Sequence, residues 1–530
     1  MIVTAAELRD LEVEALRLVE GAGAYQRVEA LLRQSAQRPG RPRVLPVKAL
    51  FVALQLLVFS GNYYLTNVPR VVNGLSRATK RSVGLDANTT ITLRQVKYLV
   101  TRIDDVLRPG SALADATEEQ RFAHFDEVFS AISTAGGHDD ANQSFSVALD
   151  GTDIPAWARK SNIHHRLVDP ETGSLEWGVV AKNTDTDAGL RGRDDKPALF
   201  GYELTVAVSV REDDGDEVPR ATLAARLRPA HFDPRKAALA CVRDIAHMRG
   251  LGDVLMDRGY TQSNHGEDFL NQIRRLGGDP VFDLKANQVG SRPGAHGAVI
   301  IDGAPYSPSL PKSLYHLEPP RGGVSGTYKP SPAALADYQD RIAARSVYAL
   351  VPHGKARANG SRVFQCPGMA GKLLCPLVSG LSTPRTTAIA VTTAPRTRRP
   401  NSVCASSYRT FTLEELPLYQ RNIYGSKRWF DSYGRRGGSI EPHFGGLKDE
   451  SAESFRKGKV RVRGIVKTGL MLAFALASNN RRLANAWERR RRERATSSGK
   501  RWHGRPYNHR LTSMTLAEAD KGKLLYPLRA

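Results

Sequence analysis

Residues 144–152 read SFSVALDGT and residues 252–260 read GDVLMDRGY; the fold class turns on these two stretches. In the first, the alternation of Ser144–Leu149 predicts a strand ending at Asp150. In the second, Asp253–Met256 predicts a short strand ending at Asp257. A carboxylate where a strand leaves a sheet points into the crevice in which open α/β sheets hold their ligands.

The text around the two stretches supplies the rest of a sheet. Phe200–Val210 reads as a second strand, and Asp213, Asp214 and Gly215 as a hairpin turn leading into Ala221–Leu227. Asp233 is placed to cap a helix with Pro234 in its first turn, running from Arg235 through Met248 to Gly250. A helix around Asp268–Leu276 and a strand over Val281–Lys285 follow Asp257. Three antiparallel strands, a crossover helix, a strand, a helix and a strand make an α/β core over 140–285, completed by 408–483. The crossover is expected to be right-handed.

Residues 286–407 are rich in Gly, Pro, Ser and Thr, with β-like pieces at Val299–Ile301, Val347–Val351, Arg362–Gln365 and Thr387–Thr392. They are too long for a plain loop and read as a β-rich insertion. Helical character is expected again from Leu413–Tyr424 through Leu483, before a basic tail over 484–530. Residues 1–120 read as several short helices and a linker at 108–120. Val47–Phe59 is apolar all round, Gly61 stops it, and Thr92 precedes an amphipathic run over Leu93–Leu107. Arg70, Arg77, Lys80, Arg81, Arg94 and Lys97 are spread among these helices, which suits a DNA-binding domain of helix-turn-helix type or a packing domain with a basic face.

Composition narrows the class. The 530 residues carry 77 Lys and Arg against 54 Asp and Glu, a formal charge of +23, and nucleic acid is the commonest partner of so basic a protein. Four cysteines exclude a disulfide framework and point to a reducing compartment. MIVTAAELRDLEVEALRL lacks the apolar core of a signal peptide. Ala49–Phe59 and Leu470–Ala477 fall short of the roughly 18 apolar residues of a membrane span. The expectation is a cytoplasmic, nucleoid-associated protein with no membrane partner.

A third acid, Glu441, lies downstream in SIEPHFGGLKDE, where Ser439 is placed to cap a helix with Pro442 in its first turn. Three carboxylates from separate elements are a hard-oxygen ligand set of the kind that holds a pair of Mg²⁺ ions in phosphodiester chemistry. DGT after one strand, DRGY after another, and a tyrosine–arginine–glutamate–lysine series resemble the insertion-sequence DDE transposases. The closer resemblance is to the group with a large β insertion between the second Asp and the Glu. FGYELTVAV, PVFDLK and RGIVKTGLMLAFALASNNRRL fit as flanking text, and the resemblance covers Val44–Leu483.

That resemblance implies a ribonuclease-H-like catalytic core with Asp150, Asp257 and Glu441 as the catalytic, metal-binding triad. It implies two Mg²⁺ ions, with Mn²⁺ able to substitute, and Tyr433, Arg436 and Lys448 as DNA-binding partners. The family pattern has three residues between Arg and Glu; here Gly437, Gly438, Ser439 and Ile440 make four, expected to be taken up in a turn before Ser439. Arg435 is a rival for the Arg role. The implied activity is cleavage at transposon ends and strand transfer into target double-stranded DNA, by a homodimer on DNA. A catalytically inactive DNA-binding descendant and a stand-alone metal-dependent nuclease are the alternatives.

Bland readings stand beside these. Asp153 competes with Asp150, and Glu441 is also placed to serve as a helix-dipole residue. Cys366, Cys375 and Cys404 with His353 offer a Cys₃His zinc set, but lack a Cys-x₂-Cys pair and read as buried free thiols. His164 and His165 read as loop surface. The sequence contains no Walker A and no His-Glu-x-x-His. Arg489–Arg492 and Arg494, with Lys500 and Arg501, interleave with Trp487, Trp502 and Tyr507, either as a phosphate-binding run or as a solvated tail.

Overall fold

Among the described residues seven α-helices precede the first strand: α1 (Ala5–Ala22), α2 (Ala24–Gln34), α3 (Val47–Phe59), α4 (Val68–Gly74), α5 (Arg77–Ser82), α6 (Leu93–Leu107) and α7 (Glu118–Ser133). The structure, a computed structural model, describes residues 5–35, 43–110, 117–137, 144–158, 164–168, 175–179, 185–192, 197–261, 266–320, 331–357, 359–378, 389–390, 402–450, 452–456 and 458–496. α3 is buried on nearly every side, as its unbroken apolar text requires. α6 starts at the capping box formed by Thr92 and Gln95, and buries Val96, Leu99, Val100, Ile103 and Leu107 on one face.

A mixed α/β fold follows. β1 (Val147–Pro155) is succeeded by a separate hairpin of β2 (His164–Val168) and β3 (Leu175–Val179), then by β4 (Gly189–Arg191), β5 (Leu199–Ser209) and β6 (Thr222–Pro229). Next come α8 (Pro234–Arg249), β7 (Asp253–Met256), α9 (Gly266–Arg275) and β8 (Asp279–Phe282). β5 pairs antiparallel with β1 on one side and with β6 and β4 on the other. β7 and β8 add to the far side of β1 in parallel. Parallel neighbours need a crossover, and α8 supplies it, opened by Asp233 accepting from the Arg235 amide.

β1 does not end at Asp150 as expected; it continues to Pro155. The reason is β5, which pairs with every residue of β1, whereas the short β7 stops at Met256. His164 and His165, read as loop surface, open β2.

The sheet separates two cores. Ala148 and Ile154 of β1 face Ile440 and Leu447 in a core shared with the N-terminal helices, while Val147 and Leu149 face Ala238, Val242 and Ile245 of α8. The N-terminal helices are thus built onto one face of the sheet. Two small antiparallel sheets occupy the long connection after β8. One contains β9 (Ser291–Pro293), β10 (Val299–Ile301) and β11 (Ala304–Tyr306). α10 (Pro332–Ser346) leads to the other, in which β12 (Val351–His353), β13 (Arg362–Gln365) and the last strand pair; β14 (Leu373–Leu374) and β15 (Ile389–Ala390) make a separate pair. That last strand, β16 (Tyr408–Phe411), lies just past the expected boundary at 407, because β13 draws it in.

No helix forms over Leu413–Tyr424. Its apolar residues Leu413, Leu416, Leu418, Tyr419 and Tyr424 are buried from turns, and Pro417 interrupts the helical period. α11 (Lys427–Lys448) and α12 (Ile465–Thr496) complete the twelve α-helices among the described residues. Ile465, Val466, Leu472, Phe474 and Leu476 of α12 are almost fully buried in the N-terminal core. Each such side chain is worth about 1.5–3 kcal/mol against exposure. Among the described residues no helix is long and apolar enough to cross a membrane.

Candidate active site

α11 carries five glycines and Pro442, a composition that disfavours helix. Tertiary packing overrides it: Trp429, Ser432, Ser439, Ile440, His443 and Leu447 bury one stripe. A Cβ at Gly446 would collide with Arg482 and Asn479 of α12, so the glycine sets how closely the two helices approach. Ser426, not Ser439, is the N-cap, accepting from the Trp429 amide, and Pro442 lies inside the helix rather than in its first turn. Tyr433, Arg436, Glu441 and Lys448 therefore share one continuous helix, and no turn absorbs the extra residue.

The consequence is rotational. Five residues separate Arg436 from Glu441 in number, which at 3.6 residues per turn sets them about 140° apart; one residue fewer would give about 40°. Arg436 accordingly points inward, with 13% of its side chain exposed, whereas Glu441 is exposed.

Arg436 Nη2 donates to Asp150 Oδ2 at 2.6 Å, and the Gly151 amide donates to Asp150 Oδ1 at 2.8 Å. A Cβ at Gly151 would press on the Glu203 carboxylate of β5, which would have to shift. The parallel pairing ends at Ala148 opposite Leu255. Carried two residues further, the same register sets Asp150 level with Asp257, on strands spaced about 4.8 Å apart. Asp257 Oδ1 accepts from the Gly259 amide at 2.7 Å, which fixes the turn that follows β7.

Burial pushes the Asp150 carboxyl up to about 6; Arg436 opposes this, and the charges of Asp257 and Glu441 add to the rise. Asp257 and Glu441, from two other elements, thus both lie within electrostatic reach of Asp150. Asp153 belongs to another group: it sits on the opposite face of β1 and pairs with Arg191 at 2.5 Å, as does Glu203.

Arg435, the rival to Arg436, is spent elsewhere. It is almost fully buried, pairs with Asp253 and Asp213, and donates to the Arg211 carbonyl at 2.7 Å. Tyr433 stacks on Trp429 with ring centroids 4.9 Å apart, so it packs the helix as well as bordering the acids. Lys448 Nζ reaches Thr152 Oγ1 at 2.5 Å, on the Asp150 face of β1 and two residues beyond it. Burial draws the Lys448 ammonium below its usual range, with Asp153 opposing.

Three carboxylates suit a hard dication, and their mutual repulsion at Asp150 is the strain that such a cation relieves. As they stand, no three His, Cys, Asp or Glu side chains among the described residues are gathered closely enough to hold a metal. Arg436 supplies the positive charge at Asp150 instead. The same finding covers the insertion thiols: Cys366, Cys375 and Cys404 line one small cavity of about 10 Å³ with Ser307 and Ser309, without forming a metal group.

Basic side chains outside the site are largely displayed. Arg70, Arg77, Arg81, Arg94 and Lys97 are exposed on the N-terminal helices; Lys80 instead is buried and donates to the Ala87 carbonyl. Arg489–Arg492 and Arg494 extend α12 as exposed helix, with Arg491 over the Trp487 ring at 5.2 Å. Lys500, Arg501, Trp502 and Tyr507 lie outside the described residues. No family model matches the chain, and neither the curated proteins nor the solved structures contain a match.

Proposed function

We propose that the chain is a DDE transposase, cleaving DNA at transposon ends and joining the freed 3′-OH to target DNA. The observation that carries this reading is the placement of Asp150 on β1 level with Asp257 after β7, where the parallel pairing has just ended, with α11 bringing Arg436 onto Asp150 and carrying Glu441. The order of three antiparallel strands, crossover helix, strand, helix and strand supports a ribonuclease-H-like core. The formal charge of +23 supports double-stranded DNA as the partner.

In this reading Asp150, Asp257 and Glu441 would draw together to hold Mg²⁺, which would supply Lewis acidity for the phosphodiester chemistry. Arg436 moves from Asp150 to a non-bridging phosphate oxygen as DNA arrives, so one guanidinium neutralises whichever anion is present. Lys448, about 10 Å further along α11 than Glu441, holds a neighbouring phosphate and fixes where the strand lies. Tyr433, braced by Trp429, keeps Arg436 aimed at the site. No nucleotide cofactor is needed, because joining exchanges one phosphodiester for another. The test is incubation of the protein with plasmid, Mg²⁺ and a 3′-OH end oligonucleotide. Joined product supports transposase; cut but unjoined DNA indicates a nuclease.

A further inference from the structure

Three of the chain's four cysteines come together in the insertion. Cys366 follows β13, Cys375 follows β14 and Cys404 precedes β16, yet all three line one cavity of about 10 Å³. That is the room of roughly one water-sized sphere. Leu373 and Val378 give the cavity an apolar wall, and Ser307 and Ser309, whose hydroxyls bond each other at 2.7 Å, give it oxygens. Among the described residues no carboxylate and no histidine lines it. His353, the fourth residue of the sequence-derived set, lies instead against the Tyr408 ring at 4.7 Å.

Two of the cysteines sit in like surroundings. Cys366 and Cys375 are each followed by a proline and each open a turn. The Ala370 amide donates to the Cys366 carbonyl at 2.9 Å, and the Val378 amide to the Cys375 carbonyl at 3.0 Å. Burial pushes the Cys366 thiol up, but the Met369 and Gly368 amides donate to its sulfur and oppose the rise. Amides aimed at a sulfur favour its thiolate, the form that binds metal. A Cβ at Gly368 would stand 3.1 Å from Cys375 Cβ and 3.7 Å from Cys366 Sγ, so the two turns meet at this glycine. The three insertion cysteines are partly exposed, where Cys241 in the core is buried.

We propose that Cys366, Cys375 and Cys404 bind one Zn²⁺ ion in this cavity, with an oxygen from the serine wall in the fourth position. Soft sulfur donors select such an ion over the hard Mg²⁺ that carboxylates take. The sulfurs surround the space without closing on a point, so the ion draws them in, and each swings on a single side-chain bond. Each thiol exchanges its proton for a bond to the metal of about 2.3 Å, and the protons leave to solvent. The effect is a staple: β13 and β16 pair, the Cys366 amide donates to the Ser407 carbonyl at 3.1 Å, and the ion ties the ends of both strands to the turn at Cys375. The site belongs to the insertion and does not rest on the transposase reading.

The test needs no catalysis. Elemental analysis of the full chain, purified under reducing conditions without chelator, should find about one zinc per chain. Exchange of that zinc for Co²⁺ should give a thiolate-to-cobalt charge-transfer band, which a carboxylate site does not produce. Cys375→Ser and Cys404→Ser should each weaken Co²⁺ binding more than about a hundredfold, past the loss expected of a merely supporting group. Cys241→Ala should bind Co²⁺ as the wild type does. Three thiols of the zinc-loaded chain should react slowly with a thiol reagent and quickly once the zinc is removed. Should either serine variant fail to fold, the zinc content and cobalt band of the wild type still decide. A wild type with neither zinc nor a cobalt band overturns the proposal, as does a band that survives both serine variants or a Cys366–Cys375 disulfide formed in place of metal binding.

Discussion

Arg436 and Asp150 meet at 2.6 Å, joining the middle of α11 to β1 where the parallel pairing of the sheet has just ended. The contact holds a carboxylate that burial and two neighbouring acids have made costly to ionise. Both its energetics and its proposed exchange for DNA can be tested.

Asp150→Asn should stabilise the metal-free protein at alkaline pH. Its carboxyl lies at about 6 in the fold against a usual value of 3.8, so the folded form binds the proton more tightly. Stability from that group is full at low pH and is lost as pH rises from about 4 through about 6. The amide cannot ionise, so the variant should gain at most about 3 kcal/mol at pH 8 and nothing near pH 3. Denaturant unfolding in EDTA at the two pH values measures this; a variant no firmer than wild type at pH 8 contradicts it.

Adjacent arginines should behave differently. Arg435→Ala leaves the buried Asp253 with one guanidinium, Arg421, in place of two, and should cost about 3 kcal/mol, the low end for breaking a buried pair. Arg436→Ala should cost clearly less, because Asp150 can take up a proton and is 21% exposed. Equal shifts in the denaturant midpoint would mean that Arg436 also serves the fold alone.

Lys448→Ala should weaken DNA binding across sequences and reduce the slope of log affinity against log salt by about one. Among the described residues its one hydrogen-bond partner is a hydroxyl, Thr152, so the fold should survive its loss. A salt slope equal to that of the wild type would place Lys448 away from the phosphates.

The central sheet was legible because its signals were local. Asp253–Met256 with Asp257 after it, and the Asp233–Pro234 helix start, appear where their residues predict them. The strand through Asp150 was misjudged because its length is set by β5, a partner distant in sequence. α11 was cut short for the opposite reason: five glycines and a proline argue locally against a helix that packing against the sheet and α12 enforces. The spacing of Trp429, Ile440, His443 and Leu447 carried the missing signal, a buried helical stripe running through the glycines. That Arg435 and Arg436, or Asp150 and Asp153, occupy different faces with different partners needed the fold, since each pair is close in sequence and alike in chemistry.

The most direct measurement is strand joining by the wild type and by Asp257→Asn. The substitution keeps the shape of the side chain and the acceptor oxygen that can hold the Gly259 amide, but removes one negative charge from the proposed metal-holding set. Each protein is incubated with plasmid, Mg²⁺ and a 3′-OH oligonucleotide carrying a terminal inverted repeat sought in the DNA that flanks the gene. The expected result is joined product with wild type only, while both proteins bind the oligonucleotide equally. Joining by both to the same extent, or by neither, would contradict the assignment of Asp150, Asp257 and Glu441 as the catalytic acids of a transposase.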